Sequence, residues 1–452
     1  MKYGKLLAGL ILFSPLTSTD TFADKMAITI YNDNLALVRD SRTLDFKSGI
    51  NEYRFTEVAA QIDPTSVHFK VPGSDNIRIL EQNYEYDLVG TQRLLEKYID
   101  QQIIVTTTEG NTFRGKLLSA QSGDVIIETP DKLVKVLKAT ALETVEFPAV
   151  SGGLITKPTL VWLLQSAKSE KRQAEISYLT GGISWHAEYV ALVNDKDTEL
   201  ELSGWVSIEN NSGANYRDAK LKLVAGDVNI VKPQAPPRAF LAKAAFAEDA
   251  GEPQFEEKSF FEYHLYTLSR PATVNDRQIK QLELFPTANT AVKKLFTFNG
   301  QRDGKDVKVN IEMTNSKANG LGMPLPKGKI RVYKSDVDGS QEFIGEDMID
   351  HTPQDEKLRI YLGNAFDIVG ERIVKDIKKI GNRSRQETVA ITLRNHKKEN
   401  VTITVIENMW GDWDFIGQTP KILTRQANKV EFEATVPANG ETSFEFVVLY
   451  QY

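Results

Sequence analysis

Short runs in which apolar and polar residues alternate recur along this chain, and they constrain its fold more than any other feature. The clearest lie within residues 325–372, where positions 330–333 and 358–362 follow the two-residue period of a strand that buries one face. Asp338-Gly339 separates the first run from the next, and both residue types tolerate the positive φ of a hairpin turn. The stretch therefore predicts a β-hairpin followed by another strand.

The same alternation elsewhere predicts a mainly β fold of several antiparallel β-sandwiches. Two runs differ: residues 93–99 and 160–167 place apolar residues three and four apart, which predicts two short amphipathic helices. Five strand-like runs follow the first helix within residues 103–147. A helix and five strands in so short a segment predict a small SH3-like or Sm-like barrel insertion, an architecture that specifies no ligand.

The chain is too long for one core, because domains typically hold about 100–200 residues. One segment within it is rich in proline, alanine and acids and has no periodicity, which favours a disordered linker; a lid over a site is the alternative. We predict a signal peptide (1–23), an N-terminal β-domain (24–90), the barrel-like insertion (91–148), the first part of a main β-domain (149–232), the linker (233–258), the second part of the main domain (259–380) and a C-terminal immunoglobulin-like β-sandwich (381–452).

The first residues have the layout of a secretory signal. Lys2 and Lys5 precede an apolar run at 6–13, and Thr21-Phe22-Ala23 forms a small-x-small cleavage site. A retained membrane anchor is the alternative, but this run is far shorter than the roughly 20 residues that span a bilayer. The chain has no cysteine, which excludes a lipid-attachment cysteine, disulfides and thiolate metal sites. We predict an exported protein, periplasmic or extracellular, with no transmembrane segment after signal removal.

Charge and motifs exclude several functional classes. The net charge is −6, and no basic block is present, so we predict no nucleic-acid partner. The sequence has no H-E-x-x-H, no G-x-S-x-G, no phosphate-binding glycine loop and no dinucleotide fingerprint, and we assign no catalytic residue. His186 follows Trp185 in a predicted strand, and we interpret it as a strand-surface or core histidine rather than a general base.

One acidic set resembles the start of a calcium loop. Asp336, Asp338 and Glu342, with Ser340, place oxygen atoms at alternate positions. Gly339 is at the fourth place rather than the sixth, and the closing bidentate glutamate is missing. A plain hairpin turn explains the same residues without an ion. Ca²⁺ bound by these carboxylates is the one cofactor that the sequence suggests.

A second set suggests sugar recognition. Trp410 and Trp413 alternate with Gly411, Asp412 and Asp414 after a predicted strand. Aromatic rings beside carboxylates suit stacking on sugars and recognition of their hydroxyls. Tryptophans that close the end of a sandwich would give the same sequence. These four side chains are the candidate ligand-binding residues.

Several phrases resemble a known family. Within residues 325–372 they are LPKGKIRVY, DGSQEFIGED and LGNAFDIVGER. Earlier in the chain they are GGISWHAEYVALV and GWVSIENNSGANYRDAKLKLVAGD. They are similar to the C-terminal domain of unknown function, family 4139, of bacterial mucoidy-inhibitor-like proteins. The resemblance covers most of residues 175–452 and, more weakly, 26–85. It implies a bacterial envelope protein and no catalytic activity.

These observations favour an exported, non-catalytic, β-rich envelope protein that acts as a scaffold or binding module for an envelope glycan or another envelope protein. The alternative is a hydrolase acting on envelope polysaccharide or peptide, in which carboxylates from distant strands would meet in a cleft. Two carboxylates about 5–10 Å apart in a groove lined by Trp410 or Trp413 would favour this alternative.

Overall fold

Strands dominate this protein. Of the described residues, 67% lie in strands and 4% in helices, so the predicted mainly β class is confirmed. The predicted signal peptide lies outside the described residues, as does most of the predicted linker, although its last residues, 255–258, form part of a strand. The computed structural model describes residues 25–451 apart from 75, 87, 89, 121–122, 149–154, 227, 230–254 and 382.

The chain divides into two compact units. One is made of Met1–Ala27 and Val38–Leu179, and the other of Ile28–Leu37 and Thr180–Tyr452. The finer domain bounds expected from the sequence remain a prediction. The turn after the first strand lies within Ile28–Leu37 and therefore belongs to the second unit.

Twelve strands precede residue 181 in the described chain. They are β1 (Lys25–Tyr31), β2 (Ala36–Phe46), β3 (Gly49–Thr56), β4 (His68–Lys70), β5 (Ile77–Glu85), β6 (Gln102–Thr107), β7 (Thr112–Ser119), β8 (Asp124–Glu128), β9 (Val134–Lys138), β10 (Leu142–Glu146), β11 (Thr159–Ser166) and β12 (Glu170–Thr180). The described residues contain one α-helix, α1 (Thr91–Lys97), and three 3₁₀ turns at Pro64–Ser66, Ala139–Ala141 and Lys317–Asn319.

The second predicted helix, at residues 160–167, is wrong. These residues form β11, which pairs antiparallel with β3 on one side and β5 on the other. Trp162 is fully buried, and most other side chains of β11 are buried as well. A short apolar run can match both the spacing of a helix face and the composition of a central strand that is buried on both faces. Here the strand forms because β3 and β5 pair with its two edges.

The predicted insertion is a helix followed by five strands. The strands form a sheet in the order β10-β6-β7-β8-β9, with α1 before them in the chain. Leu95 and Tyr98 pack with Ile103, Leu117 and other apolar residues into a separate small core. No pairing joins β9 to β10 among the described residues, so the sheet is open and not a closed barrel.

Eighteen strands follow in the described part of the second unit. They are β13 (Ile183–Val193), β14 (Glu199–Asn210), β15 (Tyr216–Ala225), β16 (Phe255–Phe260), β17 (Tyr263–Leu268), β18 (Ala272–Val274), β19 (Gln278–Ala291), β20 (Lys293–Phe298), β21 (Asp306–Thr314), β22 (Gly328–Ser335), β23 (Gln341–Ile349), β24 (Lys357–Ile380), β25 (Ser384–Asn395), β26 (Val401–Asn408), β27 (Asp412–Ile416), β28 (Ile422–Gln426), β29 (Lys429–Val436) and β30 (Gly440–Gln451).

A five-stranded sheet contains the hairpin predicted within residues 325–372, and the strand predicted after it is β24 of another sheet. The order of the five-stranded sheet is β19-β14-β13-β22-β23, and the predicted hairpin is confirmed as β22 and β23. Strands β13 and β22 pair in parallel, with Ala187 opposite Gly328. The phrases GGISWHAEYVALV and LPKGKIRVY, far apart in sequence, therefore lie side by side.

A nine-stranded sheet forms the C-terminal sandwich. Its order is β27-β30-β25-β24-β21-β20-β26-β29-β28. Phe432 of β29 and Phe446 of β30 lie on opposite sides of β24 in this strand order. Both nevertheless pack in one core with Phe298 and Ile391, so the two halves of the sheet fold over each other. The four strands predicted after residue 381 are present as β25, β26, β29 and β30. The short strands β27 and β28 and three strands that precede that residue, β20, β21 and β24, complete their sheet.

None of the described helices has the length and apolar character needed to cross a membrane.

Candidate functional site

The predicted tryptophan set lies at the end of the C-terminal sandwich, where β26 leads into β27. Gly411 adopts a φ of 66°, which glycine accepts without strain, and this turn separates Trp410 from Trp413. Two arginines lie over the tryptophan rings. We call Trp410, Trp413, Tyr450, Arg385 and Arg425 the aromatic cluster.

Trp410 is the exposed member of the cluster. Its side chain is 39% exposed, and its ring stacks on Tyr450 with ring centroids 4.0 Å apart and planes 12° apart. The Arg385 guanidinium lies 4.5 Å from the centre of the Trp410 ring. Burial, with the nearby Glu387 and Glu407 carboxylates, raises the pKa of Tyr450 to about 12. Trp410 is therefore fixed against its neighbours and still offers surface to solvent.

Trp413 and Asp414 have structural partners instead. Trp413 is 8% exposed, and its Nε1 donates a hydrogen bond to the Ala427 carbonyl at 2.6 Å. Arg425 lies 4.5 Å from the Trp413 ring centre and donates to Asp414 at 2.8 Å. Hydrogen bonds from Arg425 and from the Phe415 N–H hold the pKa of Asp414 below its ordinary value. Of the four predicted residues, Trp410, Asp412 and Asp414 are exposed, and the Asp414 carboxylate is already bound by Arg425.

Two buried glutamates lie near the cluster. Glu407 is 1% exposed and accepts hydrogen bonds from Arg372 Nε at 3.0 Å to each carboxylate oxygen, and a third from Nη2 at 3.0 Å. Burial raises the pKa of Glu407, and the Arg372 hydrogen bonds offset part of that rise. Glu387 is also buried and pairs with Arg385. Each carboxylate is thus bound by an arginine.

The predicted calcium set forms the β22–β23 turn. Asp336 Oδ1 accepts from the Val337 N–H at 2.7 Å, and Asp338 Oδ1 accepts from the Ser340 N–H at 2.8 Å. Hydrogen bonds from Ser340 lower the pKa of Asp338. Glu342 accepts from the Ser340 hydroxyl at 3.3 Å. Because each carboxylate is used locally, the turn is explained without an ion, and the described residues contain no group of three His, Cys, Asp or Glu side chains arranged to hold a metal.

A cavity of about 250 Å³ opens beside the parallel pair β13 and β22. We call it the β13–β22 groove. Its lining includes charged or polar side chains from three segments of the chain and one apolar side chain from a fourth: Asp33, His186, Glu188, Lys327, Lys329 and Met348.

Close backbone packing fixes the floor of the groove. A Cβ at Gly328 would lie 2.0 Å from the Ala187 carbonyl oxygen, so only glycine allows β22 to approach β13 this closely. The Tyr189 hydroxyl donates to the Pro326 carbonyl at 2.7 Å, and the Lys327 N–H donates to His351 Nδ1 at 3.1 Å. The segment before β22 is therefore anchored at consecutive residues.

The charges inside the groove are partly paired. Arg331 Nη1 donates to Glu188 Oε2 at 2.9 Å, and His186 Nε2 lies 3.2 Å from Glu188 Oε1. Burial alone pushes the pKa of Glu188 upward, but the hydrogen bonds from Arg331 and His186 together outweigh it and hold the pKa below its ordinary value. The Glu188 carboxylate is thus ionised at neutral pH and orients the imidazole.

One local pattern in the sequence points to this groove. His186 and Glu188 are two residues apart on a strand and so share one face. Asp33 and Lys327, which line the same cavity, and Arg331, which pairs with Glu188, are too distant in sequence for spacing to connect them with this pair. His186 itself is on the strand surface, with its side chain 50% exposed.

The family model of a Domain of unknown function (DUF4139) matches residues 174–409, just over half of the chain. The chain belongs to the DUF4139 family. No curated protein matches it. Strands β13 and β22 lie within the DUF4139 match, whereas Asp33 precedes it and Trp410 follows it by one residue.

Proposed function

We propose that this DUF4139 protein is a mucoidy-inhibitor-like envelope protein, exported to the periplasm or the cell exterior, that binds an envelope glycan without transforming it. The observation that carries the proposal is the stacked, half-exposed ring of Trp410. A ring fixed before the ligand arrives loses little conformational entropy on binding, and its open surface suits the apolar face of a sugar. Asp412, exposed two residues later, supplies an acceptor for sugar hydroxyls.

Export and the envelope setting are supported by the N-terminal residues. Basic Lys2 and Lys5, the apolar run and the small-x-small site together form a secretory signal pattern. A chain without cysteine also has no thiol that an oxidising compartment could convert to a wrong disulfide. A fusion of residues 1–30 to a reporter enzyme that is active only after export tests this part of the proposal.

The hydrolase alternative needs a pair of carboxylates that reach a substrate. Glu387 and Glu407, near Trp410, are buried and bound by arginine, and Asp414 is paired with Arg425. Asp412 is exposed, but a hydrolase of this kind needs a second carboxylate that is not already bound by a cation. A carboxylate that accepts three hydrogen bonds from Arg372 is committed to the core and not to a substrate. The geometry therefore favours binding over hydrolysis.

Replacement of Trp410 by alanine tests the binding proposal. We expect Trp410→Ala to weaken binding to soluble peptidoglycan oligosaccharides roughly fivefold or more, since stacking of a nucleobase on one aromatic ring contributes about 1–3 kcal/mol and we expect a similar contribution here. Trp205→Ala is the matched control, because Trp205 is 40% exposed in the same unit but lies on β14. Calorimetric titration measures the affinities.

Two results would contradict the proposal. One is equal loss of affinity in the Trp410 and Trp205 variants, which would show that the ring of Trp410 is not the contact. The other is release of shorter oligosaccharides by the wild-type protein, detected by mass spectrometry, which would support the hydrolase. Trp413 is unsuitable for this test because its ring is buried and its removal would destabilise the sandwich.

A further inference from the structure

The β13–β22 groove supports an inference that does not depend on glycan binding. Most charged side chains around it have partners: Glu188 pairs with Arg331 at 2.9 Å, and Lys329 lies 3.7 Å from Glu346. The Asp33 carboxylate and the Lys327 ammonium line the same cavity, and neither forms an ion pair with another described residue. The cavity therefore has one available negative charge and one available positive charge.

Two opposite charges that face one cavity without pairing fit a ligand that carries both. A ligand with a single charge would satisfy one of them and meet the repulsion of the other. A dipolar ligand satisfies both at once, through charge-assisted hydrogen bonds at its two ends. Met348, which is 62% exposed, adds an apolar surface for the carbon chain between those ends.

The size of the cavity limits the ligand. Its volume of about 250 Å³ is below the roughly 300–1,000 Å³ of pockets that hold drug-sized molecules. An amino acid is of suitable size, whereas a nucleotide or an oligosaccharide is too large to be enclosed.

Both charged residues are on restrained backbone. Lys327 follows Pro326, whose carbonyl accepts the Tyr189 hydroxyl, and its own N–H is bonded to His351. Asp33 follows Asn32, whose Nδ2 donates to the Trp185 carbonyl at 3.1 Å and whose Oδ1 accepts from the Gly226 N–H at 3.4 Å. Because the backbone is held at both positions, only the side chains of Asp33 and Lys327 have to be ordered when a ligand binds.

We propose that the β13–β22 groove binds a small zwitterionic amino acid, with Lys327 contacting its carboxylate and Asp33 its ammonium group. His186 and Glu188 complete the polar wall beside the ligand.

Calorimetric titration of the whole protein with ω-amino acids, from glycine to 6-aminohexanoate, tests the proposal by varying the separation of the two charges. The best member is then compared with its N-acetyl derivative, which lacks the ammonium, and its amide, which lacks the carboxylate. The variants are Lys327→Met and Asp33→Asn, with Lys398→Met as a control at an exposed lysine outside the groove. Thermal melts of all variants check that the fold is intact.

We expect the zwitterion to bind at least roughly tenfold more tightly than either derivative, because a hydrogen bond to a charged group contributes about 1.5–3 kcal/mol. Lys327→Met should weaken binding of the zwitterion by a similar factor but leave the affinity for the amide, which lacks the carboxylate, unchanged. Asp33→Asn should also weaken binding of the zwitterion but leave binding of the N-acetyl derivative, which lacks the ammonium, unchanged. The control variant should bind as the wild type does.

The proposal is overturned if no member of the series binds. It is also overturned if Lys327→Met and Asp33→Asn weaken all three ligands equally, since that pattern would reflect a general disturbance of the groove. Lys327→Arg keeps the positive charge and should restore binding of the zwitterion; failure to do so, in a variant with the wild-type melting temperature, would contradict a charge-based contact.

Discussion

The aromatic cluster and the β13–β22 groove both place an arginine against a glutamate, but in different surroundings. Near the cluster, the Arg372 side chain is 12% exposed and its partner Glu407 is 1% exposed. In the groove, the corresponding values are 34% for Arg331 and 22% for Glu188. The first pair is shielded from water and the second is partly hydrated.

This difference indicates what each region can do. A buried pair cannot lose one partner without leaving a charge in the core, so the residues behind the aromatic cluster serve mainly to hold the sandwich together. A partly hydrated pair has water as a substitute partner, so the groove can change its contacts at small cost. Ligand exchange is therefore easier to accommodate in the groove.

The largest effect is expected for Arg372→Ala. It leaves the Glu407 carboxylate buried without its partner, and we expect the free energy of unfolding to fall by about 3–5 kcal/mol. Arg331→Ala is the matched comparison in the groove, with an expected loss of about 0–1 kcal/mol. Urea unfolding followed by tryptophan fluorescence measures both.

Equal losses in the two arginine variants would remove the distinction between the regions. The double variant Arg372→Ala with Glu407→Ala sharpens the test, because it removes both charges. It should be less unstable than the sum of the two single changes, as expected for residues in direct contact.

A smaller effect is expected for Gly328→Ala, which tests the groove through its backbone. The added Cβ would lie 2.0 Å from the Ala187 carbonyl oxygen, so β13 and β22 must separate locally. We expect a loss of about 1–3 kcal/mol in the free energy of unfolding, in the range seen for overpacked interiors. Lys327→Ala, at the adjacent half-buried position, should change stability by less than about 0.5 kcal/mol. Similar values for the two variants would show that the close approach of the strands is not required.

The same contrast explains how much the sequence could predict. Trp410, Asp412, Trp413 and Asp414 are neighbours in sequence, so composition alone was enough to select them. It could not tell that Trp413 turns into the core while Trp410 faces solvent, because that depends on strands β29 and β30. The β11 run shows the same limit, since its burial on both faces depends on pairing with β3 and β5.

The β13–β22 groove could not be predicted from the sequence for a related reason. Local alternation predicted β22 and β23 correctly, because it reflects which face of each strand is buried. The parallel pairing of β13 with β22 joins residues more than a hundred positions apart, and no local pattern encodes it. Asp33 and Lys327 meet at one cavity through that pairing and through the turn after β1.

The smallest effect is a difference in how stability depends on pH. The pKa of Glu407 is raised in the folded protein, mainly by burial, so between its ordinary value and the raised value the folded state binds more protons than the unfolded state. Protonation of Glu407 should therefore increase the free energy of unfolding as pH falls through that window. The pKa of Glu188 is lowered, so below its ordinary value the unfolded state binds more protons, and stability is lost as pH falls.

Glutamine variants separate these opposite contributions. In urea unfolding measured at steps between about pH 3 and 7, Glu188→Gln should lose less stability than the wild type on acidification below the ordinary carboxylate range. Glu407→Gln should lose more, because the gain from protonating the buried carboxylate is gone. Comparing slopes rather than absolute stabilities cancels the constant cost of each substitution. If both variants shift the slope in the same direction, the two carboxylates have similar surroundings, and the contrast between the buried pair and the hydrated pair fails.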